Sequence, residues 1–129
     1  MDTYLLAIGW WNLVGSILML GLFSESFGKK LFNEWSKIIS TEYKLDYWGM
    51  FWLSWAIGTN IFFALTNILS VKWGYKDVKT FLIWFDIFAY LILISLAIWG
   101  IKAKRTGTGI YVGLIIFMSW VIWGFLVVV

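Results

Sequence analysis

The sequence predicts an all-α integral membrane protein: four transmembrane helices in an antiparallel bundle, with an amphipathic interfacial helix between the first and second. Three observations predict it. Hydrophobic residues make up 62% of the 129 positions and charged residues only 13%, too little charge for a water-soluble domain. The apolar residues gather into four runs, at 4–23, 47–70, 81–101 and 110–129. Each run holds about 20 residues or a little more, which at ~1.5 Å per residue covers the ~30 Å hydrocarbon core of a bilayer. A backbone in lipid must satisfy its own hydrogen bonds, so such runs are helices. No proline interrupts them. Residues 1–129 read as a single four-helix transmembrane domain.

The first span opens "MDTYLLAIGWW", with Asp2 and no positive residue ahead of the apolar stretch. A cleaved signal peptide needs a basic start, so this run is expected to stay as a helix. Spacings of four and three pick out Leu5, Gly9, Asn12, Ser16, Met19 and Phe23 as its packing seam.

The connection "SESFGKKLFNEWSKIISTEYKLDY" is too long for a simple hairpin. At 100° per residue, Phe27, Leu31, Phe32, Trp35, Ile38 and Ile39 share an arc of about 140°. Lysines, Glu34, Asn33 and Ser36 fill the remainder. This pattern predicts a helix over 27–39 lying in the interface plane, with Ser26 as its N-cap. Its default role is a connector that floats on the bilayer; a partner-docking surface is the alternative.

Span two carries Gly49, Ala56, Asn60, Phe63 and Asn67 on the same rhythm, and span three carries Asp86, Tyr90, Leu93, Ala97 and Gly100. Span four offers Gly109, Gly113, Phe117, Trp120 and Gly124, the first two at GxxxG spacing, which permits close approach of helix backbones. The connections "VKWGYKDVK" and "KAKRTGTG" are short, so the spans they join are neighbours. Counted from the outer face, Asn67 lies roughly 5 Å down, Asp86 about 8 Å, Asn12 about 12 Å and Asn60 about 15 Å. Asp86 is therefore expected beside Asn67, and Asn12 beside Asn60.

The charges set the orientation. Lys29, Lys30, Lys37, Lys44, Lys102, Lys104 and Arg105 fall in loops one and three, against Lys72, Lys76 and Lys79 in loop two. The positive-inside rule places loops one and three in the cytoplasm and both termini outside, with a cell (inner) membrane as the expected location.

Chemistry is bounded by what is missing. The chain has neither cysteine nor histidine, which excludes disulfides, His- or Cys-held haem, iron–sulfur clusters and ordinary zinc sites. No metal, cofactor or nucleic-acid partner is expected. Asp86 is the exception inside the apolar runs, because a charge at the helix centre costs ~2.5–3.5 kcal/mol on insertion scales. It is either a site for a proton, cation or polar ligand, or a carboxyl that bonds Asn67 or Tyr90 and fixes helix register. The spans supply no second Asp, Glu, Lys, Arg or His to complete an acid–base pair, so no catalytic residue is assigned.

Eleven tryptophans need placing. Trp48, Trp73 and Trp99 sit near span ends, where indoles anchor at the headgroups. Trp10, Trp11, Trp84, Trp120 and Trp123 lie deeper, level with Asp86 and Asn12, where they either pack ordinarily or wall a site for an organic cation. The candidate ligand-binding set is Asp86, Asn67, Asn12, Asn60, Tyr90 and Trp120.

Three functions fit. A non-catalytic accessory or structural subunit, packed against a larger membrane complex, ranks first. A binder or transporter of a small lipophilic or cationic ligand, through an outward-facing pocket around Asp86, ranks second. A lipid-modifying membrane enzyme ranks last. The corresponding partners are the lipid bilayer, a membrane protein or a second copy of the chain, and the small ligand. The deciding feature is whether the interior beside Asp86 is close-packed or holds a cavity of a few hundred Å³.

Overall fold

The computed structural model describes residues 1–31, 46–103 and 106–129, so residues 32–39 of the expected interfacial helix lie outside the described residues. The elements are α1 (Asp2–Leu20), a 3₁₀ turn (Gly21–Phe23), α2 (Glu25–Leu31), α3 (Tyr47–Trp73), α4 (Lys76–Lys102) and α5 (Gly109–Val128). The described residues contain no strand. The first span with its 3₁₀ turn, α3, α4 and α5 are each long and apolar enough to cross a membrane.

Helix ends follow local chemistry. The α3 helix starts on Asp46, whose Oδ1 accepts the Gly49 N–H at 2.7 Å, a side-chain cap on an otherwise orphan donor. It stops at Gly74, whose N–H donates to the Ser70 carbonyl at 2.7 Å. A Cβ at Gly74 would lie 2.5 Å from that same oxygen, so the turn requires glycine.

Both α3 and α4 run past the apolar stretches that announced them, taking in 71–73 and 76–80. Helical bonding continues beyond them because no proline stops it. There Lys72 folds over the Trp73 ring at 5.1 Å. The α2 helix begins at Glu25, which places Ser26 inside it rather than at the N-cap. Ser24 precedes the helix instead, and its carbonyl accepts the Gly28 N–H at 2.8 Å. An acidic residue in the first turn suits the positive end of the helix.

Packing is uneven. α1 lies mainly along α3 and α4 mainly along α5, with lighter contact between the two pairs. The buried core joins them at one level: Tyr4, Leu5 and Ile8 from α1, Leu82, Ile83, Ile87 and Tyr90 from α4, and Val121 from α5. Close approach depends on two glycines. A Cβ on Gly9 would meet the Ala64 carbonyl oxygen at 3.0 Å and Ile68 Cγ1 at 2.7 Å, and one on Gly124 would meet Ile87 Cγ1 at 2.8 Å.

Gly113, the second glycine of the GxxxG pair, is not a contact point in this way. A Cβ on Gly113 would meet only Phe117 of its own helix, at 3.9 Å. The α1 seam holds through Leu5, Gly9 and Ser16, all buried, but Phe23 is 39% exposed. On α3 the fully covered positions are Ile57, Ala64, Asn67 and Ser70, and Ala56 is exposed. A straight helix drifts from a 3.5-residue rhythm, so a seam read that way loses register over several turns.

Candidate functional site: a polar cleft between α1, α3 and α4

Two hydrogen-bond networks join the helices where the polar residues were expected to meet. In the first, the Asn67 Nδ2 group on α3 donates to both oxygens of Asp86 on α4, at 3.2 and 2.9 Å. Both residues are buried, Asn67 at 1% exposure and Asp86 at 4%. Ser70 extends this network by donating to the Asn67 carbonyl at 2.7 Å.

The second network centres on Asn12. The Tyr90 hydroxyl donates to Asn12 Oδ1 at 2.8 Å, so Tyr90 partners α1 and not the carboxyl one turn before it on α4. Asn60 Nδ2 donates to the Asn12 carbonyl at 3.1 Å and to Ser16 Oγ at 2.8 Å. Ser16 in turn donates to the Asn12 carbonyl at 2.8 Å. Asn12 and Asn60 thus meet through the Asn12 backbone and Ser16, not amide to amide.

Beside these networks lies a cleft of about 580 Å³. Asp86, Asn12, Asn60 and Tyr90 all line it, as does Thr59, which the sequence reading passed over. Its remaining surface is apolar, with Trp11, Phe63, Phe85 and Phe117 as its aromatic members. Phe63 and Phe85 stack at 4.3 Å with their planes 21° apart, and Tyr90 leans on Phe117 at 5.5 Å. Asn67 is not part of the lining; it stands behind Asp86 and holds it. Gly15, Ala56 and Ala89 supply the space, and a Cβ on Gly15 would meet nothing within 4 Å.

No protein-family model, curated protein or solved structure matches this chain. The site is therefore read on its own chemistry.

Trp120 does not join the cleft. It stacks on Trp123 at 5.5 Å, meets Tyr4 edge-on at 6.0 Å and lines a separate groove of about 300 Å³ with Trp11, Ile115, Ile116, Ser119 and Trp123. Heptad spacing put it on an inward face, and that face turns to Tyr4 rather than to the acid. Trp11 borders both spaces. Trp10 points outward at 56% exposure and walls neither space.

Among the described residues no lysine pairs with Asp86. Lys79 donates to Asp2 at 2.9 Å and to the Val71 carbonyl at 3.3 Å, tying the start of α1 to the α3–α4 corner. Among the described residues no group of three or more acids could cage a metal ion. What the arrangement offers is a buried carboxylate, an amide and a phenol on one side of an apolar cleft.

Proposed function

We propose that the chain forms an antiparallel four-helix bundle in the membrane and binds a small lipophilic molecule bearing a polar or cationic handle. The body of the ligand lies against Phe63, Phe85 and Phe117, and its handle reaches Asp86, Tyr90, Asn12 and Asn60. The observation that carries this reading is the cleft itself. Its volume, about 580 Å³, lies within the ~300–1,000 Å³ range of small-molecule sites, and it pairs apolar walls with a few convergent polar groups. Asp86 is buried against Asn67 and also borders this open space, so its carboxyl both locks helix register and faces the ligand's handle. This moves ligand binding ahead of the accessory role that the composition favoured.

The cleft extends away from the end that carries Asp2 and Lys79. It follows α1 to Leu18 and Met19, α3 to Ala56 and α4 to Leu93, while Tyr4, Leu5, Leu82 and Ile83 pack the other end. With loops one and three cytoplasmic, the site faces the cytoplasmic half of the bilayer, opposite to the outward pocket anticipated from residue depths. A ligand arriving from the cytoplasmic leaflet reaches Asp86 without crossing the packed core.

The test is saturable binding of a tritiated aryl-alkyl amine, N,N-dimethyl-4-phenylbutylamine, to protein in nanodiscs. Wild type binds above the level of empty discs. Gly15→Leu fills the cleft and abolishes binding, whereas Gly58→Ala, where a Cβ would also meet nothing within 4 Å but which lines no cleft, retains it. Equal binding by both variants rejects the cleft as the site.

A further inference from the structure

The hydrogen-bond inventory of the cleft is lopsided. Asn67 Nδ2 donates to Asp86, Asn60 uses its Nδ2 donors on Asn12 and Ser16, and the Tyr90 and Ser16 hydroxyls are both spent on Asn12. Acceptors remain. The two Asp86 oxygens share the Asn67 amide and can take more, and the Tyr90 oxygen keeps a lone pair beyond the one that the Trp11 indole N–H takes. Behind the lining, Asn67 Oδ1 is buried with no partner, as is the Tyr4 hydroxyl, a donor. Against these stand only the Asn12 Nδ2 group and the Thr59 hydroxyl as uncommitted donors among the polar side chains of the cleft.

Charge is equally one-sided. The ion pair among the described residues joins Lys79 to Asp2 and leaves Asp86 without a cation. A carboxylate removed from water needs both opposite charge and donated hydrogen bonds. A quaternary ammonium supplies the first and not the second. A neutral amide or alcohol supplies the second and not the first.

We propose that the ligand's handle is a protonated amine with at least one N–H, which donates to Asp86 in a hydrogen bond between opposite charges that no side chain of the cleft supplies. This rests on the cleft being a ligand site. The ammonium sits against the carboxylate, its N–H directed at an Asp86 oxygen and its carbon substituents against Phe63, Phe85 and Tyr90. The aromatic faces add cation–π attraction but do not distinguish a tertiary from a quaternary centre. Discrimination comes from the directed hydrogen bond.

The experiment compares three probes on wild-type protein in zwitterionic nanodiscs, each corrected for uptake by empty discs: N,N-dimethyl-4-phenylbutylamine, its N,N,N-trimethylammonium analogue, and the uncharged hydrocarbon in which an isopropyl group replaces the dimethylamino group. The tertiary amine binds about tenfold or more tighter than either analogue, and Asp86→Asn removes that advantage. Equal affinity for the tertiary and quaternary cations, both lost in Asp86→Asn, overturns the N–H requirement and leaves the cleft reading standing. Equal affinity for all three, abolished by Gly15→Leu, overturns the requirement for charge. Absence of saturable binding by any probe rejects the inference and the ligand-site reading together. The comparison among probes uses unmutated protein, so it does not depend on the folding of a variant.

Discussion

Asn67 holds Asp86 through one amide nitrogen that lies 3.2 and 2.9 Å from its two oxygens, so the carboxylate is fixed in place by a neutral partner from the neighbouring helix. An amide N–H shared between two carboxylate oxygens orients the carboxylate without neutralising it. That separates the two roles an intramembrane acid can play. Asn67 fixes the geometry, and the charge stays available to whatever enters the cleft.

Removing one member of this pair strands the other in a buried place. Asn67→Leu and Asp86→Leu are each expected to lower stability by about 1–3 kcal/mol, measured by thermal unfolding in detergent. The double substitution is expected to cost less than the sum, since two apolar side chains leave nothing unsatisfied. Strict additivity would show that the pair contributes nothing as a unit.

Gly9 is the point where α1 presses on α3. Gly9→Leu is expected to destabilise by about 1–3 kcal/mol, because the neighbouring Ala64 carbonyl belongs to backbone and cannot swing aside. Gly58→Ala is expected to be neutral or slightly stabilising in the same assay, as alanine favours the helix and meets nothing. Equal losses at both positions would contradict the packing.

Tyr90→Phe deletes the single hydroxyl that links α4 to Asn12. A loss of about 0.5–1.5 kcal/mol in unfolding stability is expected, with the cleft otherwise unchanged in shape. An increase in stability would mean that the link between α4 and α1 is strained rather than favourable.

The chain contains no cysteine, so a single introduced thiol reports its own side of the membrane. Tyr75→Cys, at the α3–α4 corner, is expected to react in intact cells with a membrane-impermeant maleimide. Lys30→Cys, at the end of α2, is expected to react only after permeabilisation. The reverse pattern inverts the orientation and with it the leaflet that the cleft faces.

Much of this was legible in the residues, for identifiable reasons. Apolar run length marks helices because lipid offers the backbone no other partner. Depth arithmetic brings Asp86 to Asn67 because both rise from the same short corner. Trp120 was misplaced because spacing tells which face of α5 turns inward but not which neighbour it meets. Ser16 lay on the seam, yet its bridging role needs an Asn60 amide brought from 44 residues away. The cleft was invisible for another reason: empty space has no period. The signal that could have found it is the coincidence of Gly15, Ala56 and Ala89 at the level of the polar cluster, three small residues on three different helices.

The central claim, that a lipophilic amine occupies the cleft beside Asp86, is tested most directly by locating the bound ligand. A diazirine-bearing N,N-dimethyl-4-phenylbutylamine, photolysed on the protein in nanodiscs and mapped by mass spectrometry, is predicted to label peptides containing Phe63, Phe85 or Phe117. Excess unlabelled amine is predicted to suppress that labelling. Labelling confined to lipid-facing residues such as Trp52, Trp55 and Phe81, unaffected by competitor, would contradict the account.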